Sequence, residues 1–256
     1  MSVFDLYAAC YDLLYRDKNY RAEADYVAAL VRQSRPGATD VLELGCGTGG
    51  HAVELAGKSL RVHGVDLSPA MVERALARRS AAGSGLAAAL RFEQGDVRCF
   101  RAGRTFDAVI SLFHVMSYQA TTPELLAAMA TARAHLEPGG VFVFDSWYGP
   151  AVLSDRPRCV IKEVRDDRVS IVRRTTPTMQ VNANLVDVHF DIEITAIESG
   201  EQRRVAEDHR MRYLFVPEVD HLLGASGFEL VATRAWMSQA EPDDRSWYAC
   251  FEARAL

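Results

Sequence analysis

The stretch Val41-Leu42-Glu43-Leu44-Gly45-Cys46-Gly47-Thr48-Gly49-Gly50-His51 decides how the rest of the chain is read. An apolar run suited to a buried parallel strand carries a carboxylate and enters alternating glycines, where the missing Cβ lets backbone come close to a ligand. A helix follows. The spacing Gly45, Gly47, Gly50 also satisfies the dinucleotide pattern G-x-G-x-x-G, so the turn by itself leaves NAD, FAD and S-adenosylmethionine open.

The neighbouring acids narrow the choice. Arg61-Val62-His63-Gly64-Val65-Asp66 reads as the next strand, ending in a carboxylate placed for both hydroxyls of a ribose. Ser68-Pro69 opens the following helix as N-cap and first-turn proline. Glu43 would repel a pyrophosphate, whereas S-adenosylmethionine carries an amine and a sulfonium and no phosphate. After the third strand, in Gln94-Gly95-Asp96-Val97, Asp96 either receives the adenine amine or caps the next segment. His51 stands either against the cofactor or against Glu43.

Outward from this turn the periodicity alternates. Strands are expected at 41–44, 61–66, 90–93, 106–112 and 141–145, with helices at 50–56, 69–79 and 123–135 and an Ala/Gly/Ser loop at 81–88. Such repetition specifies an open parallel sheet covered on both faces, with ligands at the carboxyl ends of its strands. Upstream, Val3, Tyr7, Cys10, Tyr11, Leu14 and Tyr15 fall at helical spacing, either a core cover or a tyrosine-rich lid, and a second helix runs from about Tyr20 to Arg32. Downstream, the helical period is lost over 158–216. Val186, Val188, Phe190, Ile192 and Ile194 alternate with polar residues as in an antiparallel strand with one wet face, with partners at 169–173 and 204–215 and a turn at Glu198-Ser199-Gly200-Glu201. A helix at 217–225 and strands at 230–237 and 247–252 close the chain.

With 256 residues, 49% hydrophobic and 25% charged, the chain can bury a full core and fits one domain with an elaboration. A net charge of -5 and a pI near 5.8 argue against a nucleic-acid partner. The five cysteines, Cys10, Cys46, Cys99, Cys159 and Cys250, are odd in number and form no C-x-x-C pair, which points to free thiols in a reducing cytosol. Met1-Ser2-Val3-Phe4-Asp5 shows no basic start or apolar signal core, and no apolar run reaches membrane-spanning length. A soluble cytoplasmic protein with no membrane partner is expected.

The chain resembles the class I S-adenosylmethionine-dependent methyltransferases in Glu43-Leu44-Gly45-Cys46-Gly47-Thr48-Gly49, Val65-Asp66-Leu67-Ser68, Gly95-Asp96-Val97, Phe106-Asp107-Ala108-Val109-Ile110 and Leu136-Glu137-Pro138-Gly139-Gly140. The resemblance implies an α/β Rossmann-like methyltransferase fold, a mostly parallel seven-stranded sheet whose last strand is antiparallel, here with an antiparallel β insertion. It implies that Gly45, Gly47 and Gly49 contact the methionine part of S-adenosylmethionine, Asp66 the ribose, and Asp96 and Val97 the adenine. Leu67, Met71 and Leu112 complete the expected contacts, and S-adenosylhomocysteine is the expected product.

More narrowly, the chain is similar to nucleotide-sugar amino N-methyltransferases. The likeness lies in Tyr11-Asp12-Leu13-Leu14-Tyr15 with Lys18-Asn19-Tyr20, in Cys46-Gly47-Thr48-Gly49-Gly50-His51, and in Asp187-Val188-His189-Phe190 with Asp208-His209-Arg210-Met211-Arg212-Tyr213-Leu214-Phe215. It implies that the N-terminal tyrosines, Tyr11 and Tyr20 among them, close over the cofactor, and that the insertion covers the active site and pairs subunits into a homodimer. The expected division is a helical lid at 1–35, a cofactor-binding core at 36–150 and 217–256, and the insertion at 151–216. The loops Phe113-His114-Val115-Met116-Ser117-Tyr118-Gln119 and Ser146-Trp147-Tyr148-Gly149-Pro150 depart from the family pattern and face the acceptor.

Methyl transfer is an in-line displacement, so the protein must hold a nucleophile at near-attack distance and keep water out. An amine acceptor must first lose a proton and an alcohol benefits from a base, and histidine suits either need. His114, just past the fourth strand, is the expected base, against the alternative of a histidine bonded to a loop carbonyl. Tyr11 and His189 are the other catalytic candidates, with His189 and His209 expected on the wet face of the insertion. Trp147 and Tyr148 are candidates for the acceptor pocket, with core packing as the alternative; Arg210 and Arg212 are candidates for an acceptor's phosphates, with solvated strand charge as the alternative. No acids and amide are spaced to hold magnesium and no N-P-P-Y follows strand four, so neither a metal nor nucleic-acid methylation is expected. The expected activity is methyl transfer to the amine or hydroxyl of a small molecule, with a nucleotide-linked amino sugar implied by the resemblance. A non-catalytic S-adenosylmethionine-binding scaffold and a methyltransferase of another small metabolite are the alternatives.

Overall fold

Burial on both faces explains the central strands. The computed structural model describes residues 11–256; Val3, Tyr7 and Cys10 of the tyrosine-rich segment lie outside them. A helical turn over 11–14 leads to α1 (Tyr20–Ser34), whose first turn is capped by the Asn19 side chain accepting from the Ala22 N–H. β1 (Asp40–Leu44) then sends Val41 to one face of the sheet and Leu42 and Leu44 to the other, all fully buried. α2 (Gly50–Ala56), β2 (Arg61–Asp66), α3 (Pro69–Ala81), β3 (Leu90–Gln94), β4 (Phe106–Ser111), α4 (Thr122–Ala134) and β5 (Leu136–Tyr148) continue the alternation. Ser68 caps α3 ahead of Pro69, and Thr121 and Glu124 form a capping box on α4.

The sheet order is β3-β2-β1-β4-β5, all parallel. The chain ends in β10 (Phe228–Ala235) and β11 (Tyr248–Ala255), and β11 lies antiparallel between β5 and β10. These seven strands are mostly parallel, as expected, with an antiparallel member near one edge. One apolar cluster, with Leu42, Leu44, Phe142, Phe144 and Phe251, lies under α4. The other, with Val27, Leu30, Val41, Ile110 and Val143, lies under α1 and α2.

Between β5 and β10 the chain makes a short helix, α5 (Gly149–Ser154), and then an antiparallel meander of β6 (Val160–Arg165), β7 (Val169–Gln180), β8 (Leu185–Ala196) and β9 (Gln202–Leu214), followed by α6 (Val216–Ala225). The meander joins the main sheet where Trp147 and Tyr148 pair with Tyr213 and Leu214. β5 is therefore longer than the expected 141–145, because its end carries a second strand partner. Pro177 sits past the end of β6, where β7 is no longer paired on that side. β6 was absent from the periodicity, and within the expected loop at 81–88 a five-residue helix spans Ser84–Ala88, where Leu86, Ala87 and Ala88 are strong helix formers. Among the described residues no helix is long and apolar enough to cross a membrane.

Candidate active site

The glycine turn after β1 opens a cleft lined by Tyr11, Tyr20, Gly45, Gly47, His51, Leu112 and Phe113. Gly47 has φ +53° and a Cβ built there would meet nothing within 4 Å, so its face looks into open space. Gly49 differs: at φ +77° its Cβ would lie 2.9 Å from Phe92, so packing as well as backbone conformation requires a glycine there. At Gly45 a Cβ would collide with Val115.

Glu43 lies beneath this turn, 1% exposed, and its Oε2 is buried with no hydrogen-bond partner. Burial, with a smaller contribution from Asp66, pushes its carboxyl up to about 8. Such an orphaned acid fits a ligand that brings positive charge. His51 reaches both of its expected positions, lining the cleft and holding Nδ1 3.7 Å from Glu43. Its Nε2 meets Glu23 at 2.7 Å, and Glu23 pairs with Lys18 at 2.5 Å. Burial lowers the pKa of His51, so the neutral imidazole donates from Nε2 to Glu23. Tyr20 packs edge-on against His51, with ring centroids 4.8 Å apart.

Asp66 accepts from the N–H groups of Gly47 at 2.8 Å and Ser68 at 2.9 Å, which fixes the carboxylate at the cleft. Asp96 adopts the capping alternative. Its oxygens accept from the Arg98 N–H and guanidinium, which hold its carboxyl below the usual range, and the segment after it turns on its backbone carbonyl. Val97 is 8% exposed in the core, Leu67 projects outward at 60% exposure, and Met71 packs beside Tyr11 and Leu14. Asp12, which sequence reasoning missed, accepts from Thr48 at 2.8 Å and from Arg78 at 2.8 Å, tying the entering segment across the glycine turn. Its signal was its place in Tyr11-Asp12-Leu13-Leu14-Tyr15, with the i, i+4 pair Arg74 and Arg78 as its cationic partners.

His114 stands just past β4 with φ +67°, beside Phe113 at φ +63°. Asp145, three residues before the end of β5, accepts from the His114 N–H at 3.2 Å and lies 2.5 Å from its Nδ1. The ring also stacks on Tyr248 at 4.2 Å. The Nδ1 contact is with this carboxylate and not with a loop carbonyl, though it lacks the alignment of a hydrogen bond, so the carbonyl-bonded alternative does not hold. Asp145 is 1% exposed and was also missed; its signal was the run Val141-Phe142-Val143-Phe144-Asp145, an apolar run closed by an acid as in Arg61 to Asp66.

The inner face of the meander carries Lys162 and Arg173 facing each other across β6 and β7, then Phe190 opposite Glu207, then Val188 opposite His209. Arg173 donates to the Tyr15 hydroxyl at 3.1 Å, lies over Phe190, and has a buried Nε without a partner. His209 was expected on the wet face. Strand parity puts it instead with Val205, Met211 and Tyr213, its ring 4.8 Å from Phe190. Its Nδ1 lies 3.0 Å from the Tyr118 hydroxyl and its Nε2 3.1 Å from Glu207.

Other candidates are not brought to this cleft. His189 lies on the outer face of β8, half exposed and 2.8 Å from Asp208. Arg210 shares that face and pairs with Asp187 at 2.7 Å, while Arg212 is held by Glu218 and Thr122. Tyr148 is 9% exposed within the core, because alternate residues of β5 point into the packed layer. Trp147 packs edge-on against Trp247 at 5.8 Å. Core packing, the competing explanation for both aromatics, is what the contacts show. Among the described residues no group of three or more His, Cys, Asp or Glu is placed to hold a metal.

Residues 41–140 match the family model described as a methyltransferase domain. The chain is 38% identical over 211 residues to dTDP-3-amino-3,4,6-trideoxy-alpha-D-glucopyranose N,N-dimethyltransferase of Streptomyces venezuelae, covering 82% of this chain and 84% of that one. Among solved structures, Streptomyces venezuelae DesVI superposes with a TM-score of 0.80 at 29% identity, covering 98% of each chain. S-adenosylmethionine-bound CalS10, an amino pentose methyltransferase from Micromonospora echinaspora, gives 0.75 at 28% identity, covering 98% of this chain and 97% of the other.

Proposed function

We propose that this chain, which belongs to the class I S-adenosylmethionine-dependent methyltransferases and resembles their nucleotide-sugar amino N-methyltransferases, methylates the amine of a nucleotide-linked amino sugar. The observation that carries the reading is the His114–Asp145 pair set beside the glycine turn, where an acceptor amine would meet the cofactor. Bound S-adenosylmethionine supplies a methyl group on a positively charged sulfur. Glu43 and the Gly45–Gly47 turn would hold its cationic end, and Asp66 its ribose. His114 takes the proton that leaves the amine's lone pair free, and Asp145 orients the ring and stabilises the imidazolium. Tyr11, Tyr15 and Phe113 shield the reacting atoms from water.

Lys162 and Arg173 support a nucleotide diphosphate on the acceptor: among the described residues each lies against aromatic rings, and the structure gives neither a carboxylate partner. Pairing with a second copy of the chain is supported by β6, the outermost strand of the meander, where Val160 and Ile161 are 54% and 63% exposed. Scattered cysteines without disulfides among the described residues support a cytoplasmic setting. Incubation with S-adenosylmethionine and dTDP-linked amino sugars, followed by mass spectrometry, is expected to show the sugar nucleotide gaining one or two methyl groups. Cofactor binding without any methylated sugar nucleotide would sink the reading. Light scattering that returns a monomer would remove the pairing alone.

A further inference from the structure

Tyr118 closes the 3-10 turn Val115–Tyr118 that begins at His114, so both side chains leave the same loop. It has protein around it from several elements, with Tyr15, Asp66 on β2, Arg173 on β7 and Glu207 on β9 as the charged or titratable groups nearby. Yet 47% of its surface is open. The exposed phenol therefore stands on the loop of His114 and faces the inner side of the meander through His209. Behind the hydroxyl, His209 and Glu207 continue inward along one face of β9, and Glu207 Oε1 is buried without a partner. One neutral tautomer satisfies the chain: Tyr118 donates to Nδ1 of His209, and Nε2–H donates to Glu207.

We propose that Tyr118, His209 and Glu207 form a proton relay that strips the acceptor nitrogen between two successive methyl transfers. The inference rests on the amino-sugar reading given above. After one transfer the nitrogen is a secondary ammonium, and its lone pair returns only when a proton leaves. That proton passes to the Tyr118 oxygen as the Tyr118 hydroxyl proton passes to His209 Nδ1, so Tyr118 is unchanged and His209 becomes an imidazolium beside Glu207. His209 then releases the proton to solvent. Tyr118 donates to His209 Nδ1 as a neutral phenol and so acts as a shuttle rather than a phenolate. Tyr118 touches the substrate; His209 and Glu207 are positioning residues acting through it. The nitrogen thus has two proton outlets on one loop, His114 for the first and Tyr118 for the second.

The test compares the full-length protein with Tyr118→Phe, His209→Asn and Glu207→Gln, separating mono- and dimethylated sugar nucleotide by mass spectrometry across pH. Calorimetric binding of S-adenosylmethionine reports whether each variant retains a folded cofactor site. Expected is a dimethylated product from the wild type and accumulation of monomethyl product from Tyr118→Phe and His209→Asn, the second transfer slowed about a hundredfold and its pH profile altered. Glu207→Gln is expected to act in the same direction and to lower the imidazole titration of His209 followed by NMR. Variants that bind cofactor and still dimethylate with the wild-type ratio and pH profile overturn the relay, as does a wild type that stops at one methyl group. A wild type that methylates no amino sugar overturns the underlying function instead, and the relay with it.

Discussion

The glycine turn after β1 and the inner face of the meander, the two halves of the proposed site, are assembled in opposite ways. The first is continuous in the chain: Glu43, Gly45, Gly47 and His51 come from a single strand, turn and helix. The second is collected across strands, with Arg173, Phe190, Glu207 and His209 meeting only because β7, β8 and β9 run in register. Charge separates them too. At the turn a buried acid oxygen has no partner; on the meander, cations lie beside aromatic rings. A cofactor half legible as a motif and an acceptor half free to change by single strand residues suit a scaffold that keeps its methyl donor while altering its acceptor.

The sharpest break between the halves is His114→Ala, which should lower kcat by about 10²–10⁴ and leave S-adenosylmethionine binding by calorimetry intact. An equal loss in both would place His114 in the cofactor half. Next comes Glu43→Gln, expected to weaken S-adenosylmethionine by about ten- to a hundredfold through loss of a charged contact. The same residue carries a pH signature. With its carboxyl at about 8 in the free protein, Glu43 holds a proton below that pH which a cationic ligand expels. Affinity therefore rises with pH, by up to about tenfold per unit, and levels off above the free-state value. Calorimetry in buffers of different ionisation heat should detect proton release for the wild type and none for Glu43→Gln.

A smaller effect tests the meander half. Arg173→Ala should raise KM for a nucleotide-linked acceptor about tenfold with the S-adenosylmethionine affinity unchanged. A variant that weakens both would show that the two halves are not separable. Smallest is Arg210→Ala on the opposite face, whose exposed pair with Asp187 should leave thermal and urea unfolding close to wild type. Steady-state kinetics should show KM within about twofold of wild type, since solvent screens that pair.

Much of the fold was readable because its signals are local. Apolar runs, glycine turns and capping residues specify strands and helices over a few positions, and the order of elements then leaves few topologies. β6 escaped because Val160–Arg165 alternates weakly and is exposed along most of its length. Among site residues, Glu43 and Gly47 were readable for the same local reason. Asp145 was not, since its partner His114 is 31 residues away, and no pattern joins them. Strand parity did carry a signal that went unused: Val205, Glu207, His209, Met211 and Tyr213 share a face, which already separates His209 from Arg210.

What the sequence by itself determined is the cofactor half, whose chemistry is written in backbone conformation and in acids at strand ends within one continuous segment. What only the tertiary structure decided is the acceptor half. There the Tyr118 hydroxyl meets His209 across 91 residues, and Tyr148 and Arg212 are withdrawn into packing and ion pairs. The physical reason is that a side chain's role depends on which face of a sheet is buried and against what, and that is settled by long-range register rather than by the residues on either side.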